Sequence, residues 1–519
     1  MLKTRLPAAL TPLATRFGLS PFYGDLHNHC ALSYGHGSLK TALARAKRQL
    51  DFVSITGHAY WPDMPVDDPR VRYIVDFHEV GFARLEKAWP GHFATLRAAV
   101  DATFTVFPGY EIHSCAHGDL TILYKSLAEA PVVKADSPAA LLAALGDKVP
   151  GGALAFHHHI GYRQGARGIN WGSLVPALTP VIEIVSMHGL SEESHGTRPF
   201  LHSMGPSDGT STVRHGLAEG HVFGFLGNTD HHSGYPGSYG HGRSCLYAPA
   251  NTPDALWQTL WDRTTTALTG DCAHLFCAMG AHAQGSLVPA DGPGEIAIEA
   301  VGGSAIDTID LIRNGELAAR ISPALSPAPI GASGEDGGQF ETLLVLELGW
   351  GSRGRHHDFA GTLSLAGGTI LSVEPRLRGP EIVSPLEGEE ASAPDDDITF
   401  ADGIIDFAIR AHANPNNQTP TTQAIAARVA LTAGATIVAE IDGEALRIPA
   451  RRLLEGGALS GNVGPIDSAA YRFHPMPRPA AYQWHGTLPV APLTPGETLY
   501  VRMRQDNGQW AWASPFFCN

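Results

Sequence analysis

The sequence predicts an α/β barrel followed by a β-rich accessory region, and three observations carry that expectation. Short apolar runs alternate with helical patterns from about residue 20 to 284, as in successive βα units. Of the 26 histidines, 21 precede residue 285, and only His356, His357, His412, His474 and His485 follow it. After Gln284 the composition shifts to a Gly- and Pro-rich stretch and then to alternating segments such as 295–301 and 306–313. We therefore divide the chain into residues 1–284, a barrel, and 285–519, a β-rich, sandwich-like domain with loop insertions at about 323–338 and 387–397.

Each element has its own signal. Residues 22–26 read as a strand. Residues 38–50, with Leu39, Leu43, Ala46 and Leu50 at helical spacing, read as an amphipathic helix leading into a buried strand at 52–56. Further strands are expected at 103–108, 120–124, 153–156, 181–185 and 222–227, in a mostly parallel sheet. The Ser-Pro start and Ala/Leu body of 137–145 mark an intervening helix. The segment 498–504, with 510–517 after it, reads as a terminal hairpin closing a sandwich.

Composition narrows the function classes. The 519 residues are 44% apolar and 17% charged, which excludes a mainly disordered or coiled-coil chain. A net charge of −15 (36 Lys and Arg against 51 Asp and Glu) argues against extended nucleic acid or an anionic membrane surface as a partner. No apolar run is long enough to span a bilayer, no cleavable leader is evident, and six scattered cysteines lack a Cys-x-x-Cys pair, so reduced thiols and a cytoplasmic location are expected. The Asn417-Gln418-Thr419 sequon carries no meaning there.

The chemistry-bearing residues fall just after the expected strands, where α/β barrels build their active sites. In Asp25-Leu26-His27-Asn28-His29 the two imidazoles, two residues apart on extended chain, share one side and can grip one ion. Asn228-Thr229-Asp230-His231-His232 offers a carboxylate and an imidazole at the same spacing. His58, Glu111, the triple His157-His158-His159 and Glu183 close other strands. Taken singly, each is as readily a hydrogen-bonded packing residue; together they point to a metal centre. On an extended strand His157 and His159 could not both join His158 on one face.

This order resembles the polymerase and histidinol phosphatase (PHP) family of metal-dependent phosphoesterases, over roughly residues 20–284, with a C-terminal β-rich extension. The matching pieces are Asp25-Leu26-His27-Asn28-His29, Ile55-Thr56-Gly57-His58, Pro108-Gly109-Tyr110-Glu111 with Phe156-His157-His158-His159, and Thr229-Asp230-His231-His232. The resemblance implies a distorted seven-stranded (β/α) barrel and two or three divalent ions. His27, His29, Glu111 and Asp230 would hold one, His58 and His232 a second, and Glu111 with His158 a third, completed by His113, His117 or Asp119. The chain departs from the family at Gly57, where an Asp is usual, and at Tyr34, where a ligand is usual and His36 would serve instead. Asp25 would orient a ligand imidazole.

The function so implied is a metal-dependent hydrolase, foremost a phosphoesterase that attacks with water ionised between Zn, Mn or Fe ions. A hydrolase of a carboxyl ester, lactone or amide, and a non-catalytic metal-binding scaffold, are the alternatives. His188 and Glu192 are the candidates for delivering a proton to the leaving group. Arg163 and Arg198, and with them Arg167 and Arg243, flank the expected mouth and could bind an anionic group of a small-molecule substrate. Substrate identity and oligomeric state are not encoded in any motif.

Overall fold

The computed structural model describes residues 2, 6–198, 200, 205–323, 338–349, 355–380, 396–413, 421–464 and 469–518. The insertion at about 323–338, most of that at 387–397, and the Asn417 sequon lie outside the described residues.

The strands Ser20–Asp25, Phe52–Tyr60 and Thr105–Ile112 lie side by side and parallel. Two helices make the crossovers that parallel pairing demands. The first, Leu39–Gln49, starts where the Ser38 hydroxyl accepts the Thr41 amide at 3.1 Å, and it buries Ala42, Leu43 and Ala46 against the sheet. The second, Arg72–Ala99, buries Val75, His78, Gly81, Leu85, Trp89 and Leu96 on one stripe despite Pro90 in its interior.

The expectation of a mostly parallel sheet is corrected by the next strands. Leu120–Tyr124 pairs antiparallel with Thr105–Ile112, and Ala153–His157 antiparallel with Leu120–Tyr124. Only residues 113–119 join the first two, too few for a crossover, so the chain turns back as a hairpin. On the opposite edge Arg243–Ala248 pairs antiparallel with Ser20–Asp25, and Thr265–Leu268 with Arg243–Ala248. Val181–Ser186 and Gly224–Gly227 form a parallel pair of their own, packed beside Ala153–His157 and Thr265–Leu268 respectively.

The remaining strands build outward. Trp510–Ala513 pairs with both Thr265–Leu268 and Thr498–Gln505, so the expected terminal hairpin extends the same sheet that carries the N-terminal strands. Thr498–Gln505 pairs in turn with Ile306–Arg313. An eight-stranded antiparallel sheet, with the long strands His357–Arg376 and Gln423–Ile441 at its centre, buries a separate aliphatic core that includes Leu346, Phe359, Ile425 and Ile437. No disulfide joins any of the six cysteines. Among the described residues no helix is long and apolar enough to cross a membrane.

Candidate metal centre

Asp25 closes the first strand and ties it to the segment after Gly224–Gly227. Its Oδ1 accepts the amides of His27 (3.2 Å) and Thr229 (3.1 Å), and Oδ2 accepts the amide of Gly237 (2.9 Å). Asp25 thus holds backbone rather than an imidazole. The two segments zip further: Asp230 N donates to His27 O and His29 N to His231 O, each at 2.8 Å. His27 and His29 consequently point to one place, with their Nε2 atoms 3.2 Å apart. Asp230 sits in the left-handed region at φ 51°, a conformation Asp tolerates better than most residues. Its Oδ1 lies 2.9 Å from His29 Nε2 and 3.3 Å from His27 Nε2.

Glu111, in the last turnless stretch of its strand, stands at the middle of the cluster. Its Oε2 lies 3.5 Å from His27 Nε2, 3.4 Å from His29 Nε2 and 3.4 Å from His58 Nε2. Its Oε1 lies 3.1 Å from His158 Nε2 and 3.2 Å from His113 Nδ1. Among the described residues four groups of ligand atoms result, each within 4.8 Å: three that overlap (His27, His29 and Glu111; His29, His58 and His232; His58, Glu111 and His113) and a separate one of Asp119, His158 and His159. His159 joins its neighbour His158 because the chain leaves the strand there, at φ 34°, so strand alternation no longer governs its direction.

The outer hydrogen bonds of three rings turn their inner nitrogens toward the carboxylate. Nδ1 of His27 is 2.9 Å from Glu183 Oε2, Nδ1 of His58 is 3.1 Å from the Ser33 hydroxyl, and Nδ1 of His158 is 3.0 Å from the Thr121 hydroxyl. With the proton on Nδ1, each Nε2 presents a lone pair to the centre. Burial lowers the basicity of His29, His58 and His232. Burial opposes ionisation of Glu111 too, but His113, His58 and His158 outweigh it and hold the carboxyl well below the ordinary range. His27 and His188 do the same for Asp230.

The donor set fits divalent cations. Glu111, Asp119, Glu183 and Asp230 are all buried, and Arg167 is the one guanidinium among them, so four negative charges face one positive charge. An uncompensated excess of three buried charges is costly, and protons or bound cations must offset it. Several polar atoms there are buried and lack a hydrogen-bond partner, including Glu111 Oε2, His113 Nε2, His159 Nδ1 and His232 Nδ1. Mixed imidazole and carboxylate donors suit Zn, Mn or Fe better than Ca.

The structure distributes the other candidates differently. His188 Nε2 is 2.9 Å from Asp230 Oδ2, and the residue lines a cavity of about 590 Å³ above the cluster. Glu192 does not line it: its carboxylate accepts from the Tyr500 hydroxyl (2.7 Å), Arg502 Nη1 (2.9 Å) and Trp512 Nε1 (2.9 Å), a buried junction with the C-terminal hairpin. Arg163 is exposed, and Arg198 binds the Gly240 carbonyl beside a different, small cavity. Arg243 is buried between Cys272 and the Gly237 carbonyl. The arginine in the cavity is Arg167, whose Nε donates to Asp119 Oδ2 at 2.9 Å.

His36 lies outside the four groups, half-buried, its amide donating to the His232 carbonyl at 2.7 Å. Tyr34 is the residue that enters the site, its ring stacked on His58 at 3.5 Å and its hydroxyl donating to His78 Nε2 at 3.0 Å. Of the three residues open for a third ion, His113 and Asp119 are 3.0 Å apart in the cluster, and His117 belongs to none of the four groups. At Gly57, where a carboxylate is absent, a Cβ would lie 2.8 Å from Leu85 Cδ1 of the long helix, so a larger residue would require that leucine to move. Glu183 closes a strand in the sequence reading without a role; its role as the partner of His27 comes from the fold. Arg167, one of the four arginines expected to flank the mouth, reaches the cavity from a loop at φ 73°.

No family model matches the chain, and no curated protein sequence matches it. Among solved structures, the chain is similar to a two-domain protein from Bacteroides vulgatus described as containing a predicted PHP-like metal-dependent phosphoesterase, at 14% identity and a TM-score of 0.32, over 57% of this chain and 79% of that one. It is also similar to PsfC from Pseudomonas syringae, at 16% identity and a TM-score of 0.29, over 46% of this chain and 88% of that one.

Proposed function

We propose that the protein is a metal-dependent hydrolase whose substrate is a small phosphoester, and that the strands bounding the site are a distorted barrel of the PHP type with residues 285–519 as its β-rich accessory domain. The observation that carries the reading is the convergence of His27, His29 and His58 Nε2 on the single buried oxygen Glu111 Oε2, with Asp230 beside them. His27, His29, Glu111 and Asp230 would hold one ion, His58 and His232 with His29 a second, and His158, His159 and Asp119 a third. Bound divalent ions supply Lewis acidity and a water acidified to near neutrality.

The chain's own groups do the rest. Asp230 divides its two oxygens, Oδ1 toward His27 and His29 and Oδ2 toward His188, so it orients the His188 ring at the cavity edge. With Nε2 held by Asp230, the His188 Nδ1, which has no partner among the described residues, would deliver the proton to the leaving oxygen. Asp119 holds Arg167 by its Nε, which directs the guanidinium to a substrate oxyanion. Residues of the segment 61–78 line one side of the cavity.

The test is elemental analysis of the purified protein together with turnover of chromogenic phosphate mono- and diesters, carboxyl esters and an amide. At least two divalent ions per chain and selective cleavage of a phosphoester are expected. Cleavage of carbon esters or amides alone transfers the site to the alternative hydrolase class, and bound metal without turnover of any of them leaves a metal-binding scaffold.

A further inference from the structure

The cavity over the cluster has two unlike faces. Its floor is ionic, made by the ligand groups and Arg167. Its wall is apolar, made by Trp61, Pro65, Val71, Tyr73, Ile74 and Phe77. Tyr73 and Phe77 stand one turn apart on the Arg72–Ala99 helix, with Ile74 beside them, so one face of the first helical turns is turned to the cavity. Tyr73 remains 72% exposed, and nearby Val66 and Val80 are exposed as well, so this rim keeps apolar surface in water that an occupant would cover.

Of the polar groups at that wall, His78 and Tyr34 are already engaged, while the Trp61 Nε1–H has no partner among the described residues. His78 donates from Nδ1 to the Ile74 carbonyl (2.8 Å) and accepts the Tyr34 hydroxyl proton at Nε2 (3.0 Å). Both its nitrogens and the Tyr34 proton are therefore committed within the protein. A hydroxyl-rich moiety placed there would lose water and find few partners. Arg167 meets the two faces at their junction, its guanidinium carbon 5.3 Å from the Trp61 ring centroid. A volume of about 590 Å³ is that of a small-molecule site.

We propose that the site selects a small substrate bearing a compact anionic group next to an aromatic or bulky apolar substituent, the anion on the floor beside Arg167 and the substituent on Ile74, Phe77 and Tyr73. The substrate class rests on the hydrolase reading; the apolar selectivity does not depend on which bond is cleaved.

The experiment measures binding by titration calorimetry to full-length protein loaded with Zn²⁺ or Mn²⁺, using two pairs of uncleavable anions: benzylphosphonate against methylphosphonate, and phenylacetate against acetate. Benzylphosphonate should bind about 30-fold more tightly than methylphosphonate, from the apolar area it buries, with a negative heat-capacity change. That ratio should fall to about 3-fold in Phe77→Ala. Tyr73→Ser, at an exposed position, should lower it as well and serves if Phe77→Ala fails to fold. A preference confined to the carboxylate pair upholds the wall while ending the phosphoester reading. Equal affinity within both pairs, a preference that survives both substitutions, or no binding by any of the four overturns the proposal.

Discussion

His27 is gripped from both sides: its Nδ1 lies 2.9 Å from Glu183 Oε2 on one edge, and its Nε2 lies 3.5 Å from Glu111 Oε2 on the other. Asn228 Nδ2 donates to the same Glu183 oxygen at 3.1 Å, so the carboxylate is itself held in place. The pair makes Glu183 the orienting group of the ring, although it reaches no ligand atom of the cluster centre directly.

Glu183→Gln is therefore expected to weaken metal binding by about 10- to 100-fold, the usual cost of losing a carboxylate behind a ligand imidazole. Competition against a chromogenic chelator measures it. An affinity equal to that of the unsubstituted protein would falsify the orienting role.

Asp230→Asn should strip metal and abolish turnover with the fold retained. Asn keeps the tolerance for φ 51° that Ala lacks, so the effect reports the lost charge and not backbone strain. Elemental analysis and far-ultraviolet circular dichroism, read together, check both halves of the statement; a variant that keeps its metal and its rate removes Asp230 from the ligand set.

Glu192→Ala should act on stability and leave metal content unchanged. Removal of the carboxylate strands the Trp512 indole N–H at a buried junction between the N-terminal segment and the C-terminal hairpin, while Arg502 keeps Asp310 at 3.1 Å. Leaving a buried donor unpaired costs about 1–3 kcal/mol. Denaturant unfolding gives the number, and an unchanged midpoint would contradict the structural assignment.

Glu299 provides a pH signature remote from the cluster. Burial raises its pKa, but hydrogen bonds from His274 (2.7 Å), His485 and the Leu13 amide outweigh this and bring it to about 2. A depressed carboxyl contributes stability that is complete above its ordinary range and disappears as pH falls through the folded value. In this window the unfolded chain binds the proton that the folded chain refuses. The stability gap between the native protein and Glu299→Gln should be about 3 kcal/mol near pH 6 and should narrow from about pH 4.5 toward pH 2. A gap that holds constant to pH 3 would show that Glu299 is not the carboxyl responsible.

The parts of the fold legible in the sequence are those governed by local chemistry. Ser38 and Ser137 each precede a run of good helix formers, and both cap the helices expected there, Leu39–Gln49 and Pro138–Leu145. The strand Leu120–Tyr124 occupies the residues its apolar run marks. Strand direction was not legible, because an apolar run reads the same either way and only connection length and packing choose. The Arg72–Ala99 helix escaped notice because Pro90 interrupts it and because Tyr73, Ile74 and Phe77 face a cavity, off the stripe that packs on the sheet.

In the site, the pairs His27 with His29 and Asp230 with His232 stood out because residues two apart on extended chain share a direction. The final placement of His159, Arg167 and Tyr34 was not legible, for it depends on loops, and at His159 and Arg167 on left-handed backbone. The amino-acid order alone determined the supply of imidazoles and carboxylates and their local spacing, since both follow from chain geometry over a few residues. Which nitrogen meets which oxygen was decided only in three dimensions. It required the parallel bridge of Asn28 with His231, the turn at Asp230 and the hairpin return at residues 113–119, contacts between segments up to two hundred residues apart whose register no local pattern encodes.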